Sequence, residues 1–317
     1  MGGPVRLDRR GWRALAVAAL VLLAGCELSE VTLAEPENIL VAEVYVMLGD
    51  GDDQLSAFLH WTLSPGDTDP DLTRSTVRLI REDDSVLDFQ LRAPSACLLP
   101  GISEDVPGAC FTAPPFALPP APGSTIEVEI IAPDGSVLEG FTTVPEAFEL
   151  RQPEGGGLCL IPPNRPLPVR WTRSQGAWAY GAEAQIWGLR DALEPRGIEV
   201  EQDTVALLGL AVSDADTTVI FPGEFGVFDR FELDRDLALA LQSGMPVGAL
   251  AEVVVGALDR NYVNWVRGGN FNPSGAVRVP SIRGDGTGVF AAVYRRSFRA
   301  IGVGVDPGSG SCFVRRP

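Results

Sequence analysis

The chain has 317 residues, 45% of them hydrophobic, and a formal net charge of -17 from 42 acidic and 25 basic residues. A surface this acidic repels polynucleotides and anionic lipid, which argues against nucleic-acid binding, and the hydrophobic content excludes a disordered acidic tail. Every basic residue is arginine, a compositional feature from which no chemistry follows.

The first element is "ALAVAALVLLA", Ala14 to Ala24, preceded by Arg9, Arg10 and Arg13. It is shorter than the roughly 20 residues a membrane-spanning helix needs, and its flanks have the layout of a secretory signal peptide rather than an uncleaved anchor. Leu23, Ala24, Gly25 and Cys26 have the form of a lipobox, in which the cysteine thiol is acylated and the chain is cut just before it. Residues 1–25 are therefore expected to be removed, taking four arginines and one aspartate with them and leaving -20 on the mature chain. Residues 26–37 read as a short acidic tether. No later hydrophobic run is long enough to cross a membrane.

From Asn38 the pattern alternates. "ILVAEVYVM", "QLSAFLHWTL", "STVRLIR" and "SVLDFQL" are strand candidates. "TIEVEII" puts Ile126, Val128 and Ile130 on one face, and the turn signal "APDG" then leads into "SVLEGFTTV", which predicts a hairpin. "PPFALPPAPG", Pro114 to Gly123, is a proline-rich connection. Residues 38–150 are thus expected to form a small antiparallel sandwich, immunoglobulin-like or transthyretin-like. Glycines and a proline in "RQPEGGG", Arg151 to Gly157, mark the expected boundary.

Residues 151–317 predict a second, mainly β domain with one or two short helices. Its strand candidates are "GAEAQIWG", "DTVALLGLAV", "TTVIF", "AEVVVGAL" and "GVFAAVYRRSF". "DRDLALALQSG" offers a helix capped by Asp234 and stopped at Gly244, and "DRNYVNWVRGG" one capped by Asp259 and stopped at Gly268.

With Cys26 assigned to lipid, Cys97, Cys110, Cys159 and Cys312 remain. In an oxidising compartment they read as disulfides, and sequence distance favours Cys97 with Cys110 and Cys159 with Cys312. A metal site does not fit, because there is no C-x-x-C pair and the single histidine, His60, is remote in sequence.

Three stretches invite a chemical reading. "RGDGTG", Arg283 to Gly288, lacks the Lys-Ser/Thr of a phosphate-binding loop and is followed by a strand, so a tight turn is the expectation. Calcium needs six to eight oxygens. Asp50, Asp52 and Asp53 in one acidic loop, with Asp67, Asp69 and Asp71 in another, are candidate ligands, against the simpler reading of polar hairpin loops. Trp178 and Tyr180, two apart in a predicted strand, share a face and offer a platform for a sugar or peptide; the simpler reading has them filling the core. Tyr262 and Trp265 lie three apart on one helical face and are expected to pack on a sheet. Catalysis finds little support. His60 is expected near solvent with Trp61 inward, no G-x-S-x-G elbow accompanies a serine, and with 42 acids a carboxylate pair at a useful distance is uninformative.

Three parts of the chain carry a resemblance: the lipobox followed by "NILVAEVYV", the segment "IEVEIIAPDGSVLEGFTTVP", and "NFNPSGAVRVPSIRGDGTGVFAAVYRRSF". Together they resemble a family of bacterial lipoproteins of unknown function, of the Bacteroidota type and often encoded beside TonB-dependent receptors. The chain departs from that family's usual asparagine at Ser281. The resemblance implies an outer-membrane lipoprotein, periplasmic or surface-facing, without cofactor or catalytic residues. It would be held by its N-terminal lipid and serve as a binding or accessory subunit of a TonB-dependent uptake system. Glu27, in place of an aspartate retention signal, agrees with the outer membrane. The alternatives are a structural or assembly protein of the envelope with no small ligand, or an extracellular hydrolase.

Overall fold

Alternation dictates the first strand. In β1 (Leu40–Leu48), Leu40, Ala42, Val44, Val46 and Leu48 turn inward, while Glu43, Tyr45 and Met47 are half-buried on the other face, the period of two that a pleated backbone imposes. The computed structural model describes residues 38–50, 53–62, 71–97, 107–153, 157–162, 164–211, 215–225, 235–242, 244–267, 279–305 and 312–313. The expected leader, Cys26 and the tether lie outside these residues.

Asn38–Pro317 forms one compact unit, and it is mainly β with few short helices. After β1 come β2 (Gln54–Trp61), β3 (Thr76–Arg81), β4 (Val86–Asp88), β5 (Gln90–Arg92), β6 (Ala109–Thr112), β7 (Thr125–Ile131), β8 (Val137–Thr143) and β9 (Leu150–Gln152). Then follow β10 (Leu158–Ile161), β11 (Leu167–Trp171), β12 (Ala179–Trp187), α1 (Leu189–Leu193), β13 (Thr204–Ala211), β14 (Thr218–Phe221) and α2 (Arg235–Gln242). The last elements are β15 (Leu250–Leu258), α3 (Arg260–Arg267), β16 (Ile282–Gly284), β17 (Thr287–Gly302) and β18 (Cys312–Phe313).

The β7–β8 hairpin forms where the sequence places it, in full antiparallel register from Thr125↔Thr143 to Ile131↔Val137. Its turn is closed by Gly135, at φ 90°, and by the Asp134 carboxylate accepting the Ser136 N–H at 3.0 Å. Ile126, Val128 and Ile130 are fully buried, each worth about 1.5–3 kcal/mol of apolar burial. The predicted strand "SVLDFQL" divides instead. β4 pairs with β3 and β5 with β6, and Phe89 between them tucks into the core.

Sheet order explains how the chain holds together. The path β4-β3-β7-β8-β16-β17-β1-β2-β6-β5 belongs to a 15-stranded sheet, which β10, β12, β13, β15 and β18 complete. The pivot is β17. Its first half pairs in parallel with β1, from Val41↔Thr287 to Leu48↔Tyr294. Its second half pairs antiparallel with β15, from Leu250↔Ile301 to Leu258↔Val293, and in parallel with β10. Strands from both sides of the expected boundary therefore share one sheet. The boundary stretch itself carries β9, which pairs with β11 in a second, three-stranded sheet, β14-β11-β9.

One continuous core runs beneath both regions, from Leu40, Leu79 and Ile126 to Val169, Tyr180 and Phe298. Its aromatic centre joins Phe148, Trp171, Tyr180 and Tyr294, with Trp171 and Tyr180 centroids 5.3 Å apart and Phe148 at 6.0 Å from both tyrosines. The disulfides are Cys97–Cys110 and Cys159–Cys312, the pairings that sequence distance favours. No helix among the described residues is long and apolar enough to cross a membrane.

Candidate functional site

β12 separates the two residues that sequence reading placed on one platform. Tyr180 is in the core, 1% exposed, with its hydroxyl accepting the Ser174 N–H at 2.7 Å. Trp178 lies just before the strand, 47% exposed, and the Arg260 guanidinium sits 5.1 Å over its ring. Strand alternation predicts a shared face, but Trp178 precedes the regular strand and the aromatic core claims Tyr180. The two do not form a joint surface.

The acidic-loop residues are engaged locally. Asp50, in the β1–β2 turn at φ 53°, receives the Arg296 guanidinium at 2.8 Å and the Ser297 hydroxyl at 2.9 Å, together with the Ser297 N–H. Arg296 also donates to the Phe148 carbonyl at 2.9 Å. Asp50 thus clasps the turn to β17 and already faces a cation. Asp53 accepts the Gly49 N–H, and Asp71 accepts both N–H and O–H of Thr73, which holds its carboxyl below the usual range. Asp52, Asp67 and Asp69 lie outside the described residues. Among the described residues no group of three or more His, Cys, Asp or Glu side chains is placed to hold a metal ion.

His60 is half-buried at the end of β2, its ring 5.6 Å from Phe58 and its Nδ1 3.1 Å from the Trp61 carbonyl. "RGDGTG" is a turn from β16 into β17. Asp285 accepts the Val137 N–H at 3.0 Å and its own N–H donates to the Val137 carbonyl. Gly288, at φ +151°, passes so close to β1 that a Cβ would lie 1.9 Å from the Ala42 oxygen.

α3 forms as its cap signal predicts. The Asp259 side chain accepts the Tyr262 N–H at 2.7 Å, satisfying an amide left open at the helix start, and its other oxygen accepts the Thr142 hydroxyl of β8. Asp259 is 2% exposed. Burial, offset in part by these donors, raises its carboxyl to about 6. Asn261 extends the same junction, donating at 2.9 Å to the carbonyls of Phe141 and Phe290. α3 lies on the sheet through Val263 against Ala179, Leu258 and Val293. Tyr262 reaches the Tyr45 ring, with centroids 6.1 Å apart. Burial, with the charges of Glu183 and Asp259 nearby, pushes its hydroxyl up to about 12.

Beyond α3 the same sheet face faces solvent. Ala182, Ala184 and Ile186 of β12 point into the core, so Glu183, Gln185 and Trp187 point out. Register lines them up in rows. Trp187 stands between Thr204 of β13 and Leu250 of β15, and Gln185 between Ala206 and Glu252, with Arg299 of β17 beyond Glu252. Glu183 and Val254 form the next row. Gln185 and Arg299 are exposed, Trp187 and Glu252 half-buried. The sequence signal for this face was present in "GAEAQIWG", whose small residues alternate with Glu183, Gln185 and Trp187, but the rows depend on pairing that no local pattern encodes.

No family model matches the chain, and no curated protein matches it. Among solved structures, a DUF4785 family protein from Legionella pneumophila is distantly similar, at 10% identity and a TM-score of 0.20 over 68% of this chain and 51% of that one. The chain therefore spans about half the length of that protein.

Proposed function

We propose that this chain is an exported lipoprotein of the outer membrane, acting as a non-catalytic binding or accessory subunit beside a TonB-dependent receptor. The observation that carries the reading is the lipobox ending at Cys26 together with two closed disulfides in the β unit, since disulfides persist where the compartment is oxidising. Support for a binding role comes from the open sheet face beside α3. The receptor partner rests on the resemblance alone.

The test is expression in a bacterium that processes lipoproteins, followed by mild detergent extraction. The reading expects an N-terminal Cys26 carrying thioether-linked diacylglycerol by mass spectrometry, loss of membrane association in Cys26→Ala, and co-purification of a receptor. An unprocessed N-terminus on soluble material removes the anchor. A processed chain that always elutes alone removes the receptor and favours an envelope protein without a partner.

A further inference from the structure

The face formed by β13, β12, β15 and β17 has three properties that together specify a ligand class. First, its polar side chains are unspent: among the described residues, Gln185, Glu252, Arg299 and Trp187 make no side-chain hydrogen bond or ion pair. An amide, a carboxylate, a guanidinium and an indole N–H supply both donors and acceptors. Second, the face is electrically balanced. Glu252 stands opposite Arg299 in one row, and Glu183 and Arg295 stand in adjacent rows, two acidic and two basic side chains, in a chain of net charge -17. Neither an anionic nor a cationic ligand is selected.

Third, the face is small. Strands about 4.8 Å apart and residues about 3.3 Å apart along each strand give roughly 300 Å² between β13 and β17 and from Gly181 to Trp187. Face-to-face docking of a protein would bury about twice that in total, below the 1,200–2,000 Å² of stable protein interfaces. An extended neutral ligand that hydrogen-bonds edge-on and stacks on one aromatic plane fits the same area.

We propose that this face binds a neutral oligosaccharide, with the Trp187 indole stacking on a sugar ring and Gln185, Glu252 and Arg299 bonding its hydroxyls. α3 closes one end of the face through Tyr262. The inference rests on the reading of the chain as a binding subunit, but its test requires neither lipid nor receptor.

The test is native affinity electrophoresis of the detergent-solubilised full chain through gels containing xyloglucan, mixed-linkage β-glucan, galactomannan or dextran. The acidic chain migrates readily, so retardation is easily read. At least one gel should retard the wild type. Affinity should fall at least tenfold in Trp187→Ala and in the double variant Gln185→Ala/Arg299→Ala, whose side chains are exposed and unbonded and so spare the fold. Trp178→Ala, off this face, should bind as wild type. Migration unaffected by all four polysaccharides overturns the proposal, as does retardation that neither variant diminishes. A receptor that co-purifies with a chain no polysaccharide retards would overturn the glycan site and leave the binding-subunit reading standing.

Discussion

Replacing Asp259 with asparagine isolates the energetic consequence of a buried carboxyl that caps a helix. The amide keeps the oxygen that accepts the Tyr262 N–H and presents an N–H₂ to the Thr142 oxygen, so the size and the cap are kept, the titration is lost, and any pH-independent cost of the exchange cancels when the two pH values are compared. In the native protein the carboxyl sits at about 6 against 3.8 when exposed. Because the folded value is the higher one, the folded state holds the proton more tightly. Stability from this group is fully present below pH 3.8 and is lost as pH rises through 6. Over the whole window the shift amounts to about 3 kcal/mol, and between pH 5 and pH 7 to about 1.3 kcal/mol. Urea unfolding of the wild type and Asp259→Asn at both pH values measures it. The wild type should lose about 1.3 kcal/mol more than the variant on going from pH 5 to pH 7, or about 3–5 °C in Tm. Equal losses in the two proteins would refute the reasoning, since they would mean the native carboxyl titrates as it does in the unfolded chain.

Three further outcomes follow from the geometry. Opening the Cys97–Cys110 loop, with a sequence separation of 13, by Cys97→Ser/Cys110→Ser should cost about 3 kcal/mol, and opening the Cys159–Cys312 loop, with a separation of 153, about 5; urea midpoints of the two double variants should keep that order. Gly288→Ala drives a Cβ to 1.9 Å from the Ala42 oxygen at a φ of +151°, so it should cost 3 kcal/mol or more and deplete the soluble folded protein. Asp50→Ala strands Arg296 and frees the β1–β2 turn; with both side chains 30% exposed, about 1–2 kcal/mol is expected by urea denaturation.

Local pattern made much of the fold legible, and long-range pairing made the rest illegible. The β7–β8 hairpin and α3 lie where their residues announce them, because "APDG" closes a turn and Asp259 caps a helix within a few positions of sequence. "SVLDFQL" shows the limit. Seven residues with one alternating pattern serve two different partners, and only the demand of the core for Phe89 decides where the strand breaks. α1 leaves no sequence signal, since five residues with Gly188 as cap are too few to show a helical period.

The candidate site failed in the sequence for a related reason. Trp178 and Tyr180 are aromatic and two apart, but spacing along a strand says which residues share a face, never which face is buried. That choice belongs to β17. It joins β1 to one half of its length and β15 to the other, so the inner side of β12 is fixed by strands roughly 70 to 120 residues downstream. Once Phe148 and Trp171 pack on Tyr180, every even-numbered residue from Tyr180 to Ile186 is committed to the core. Trp187 is then turned outward by the same parity that buries Tyr180. The residue able to meet a ligand is thus identified by what its neighbour in the strand must avoid: an indole at 186 would displace Ile186, which is 0% exposed, and overpacking a filled core costs about 1–3 kcal/mol.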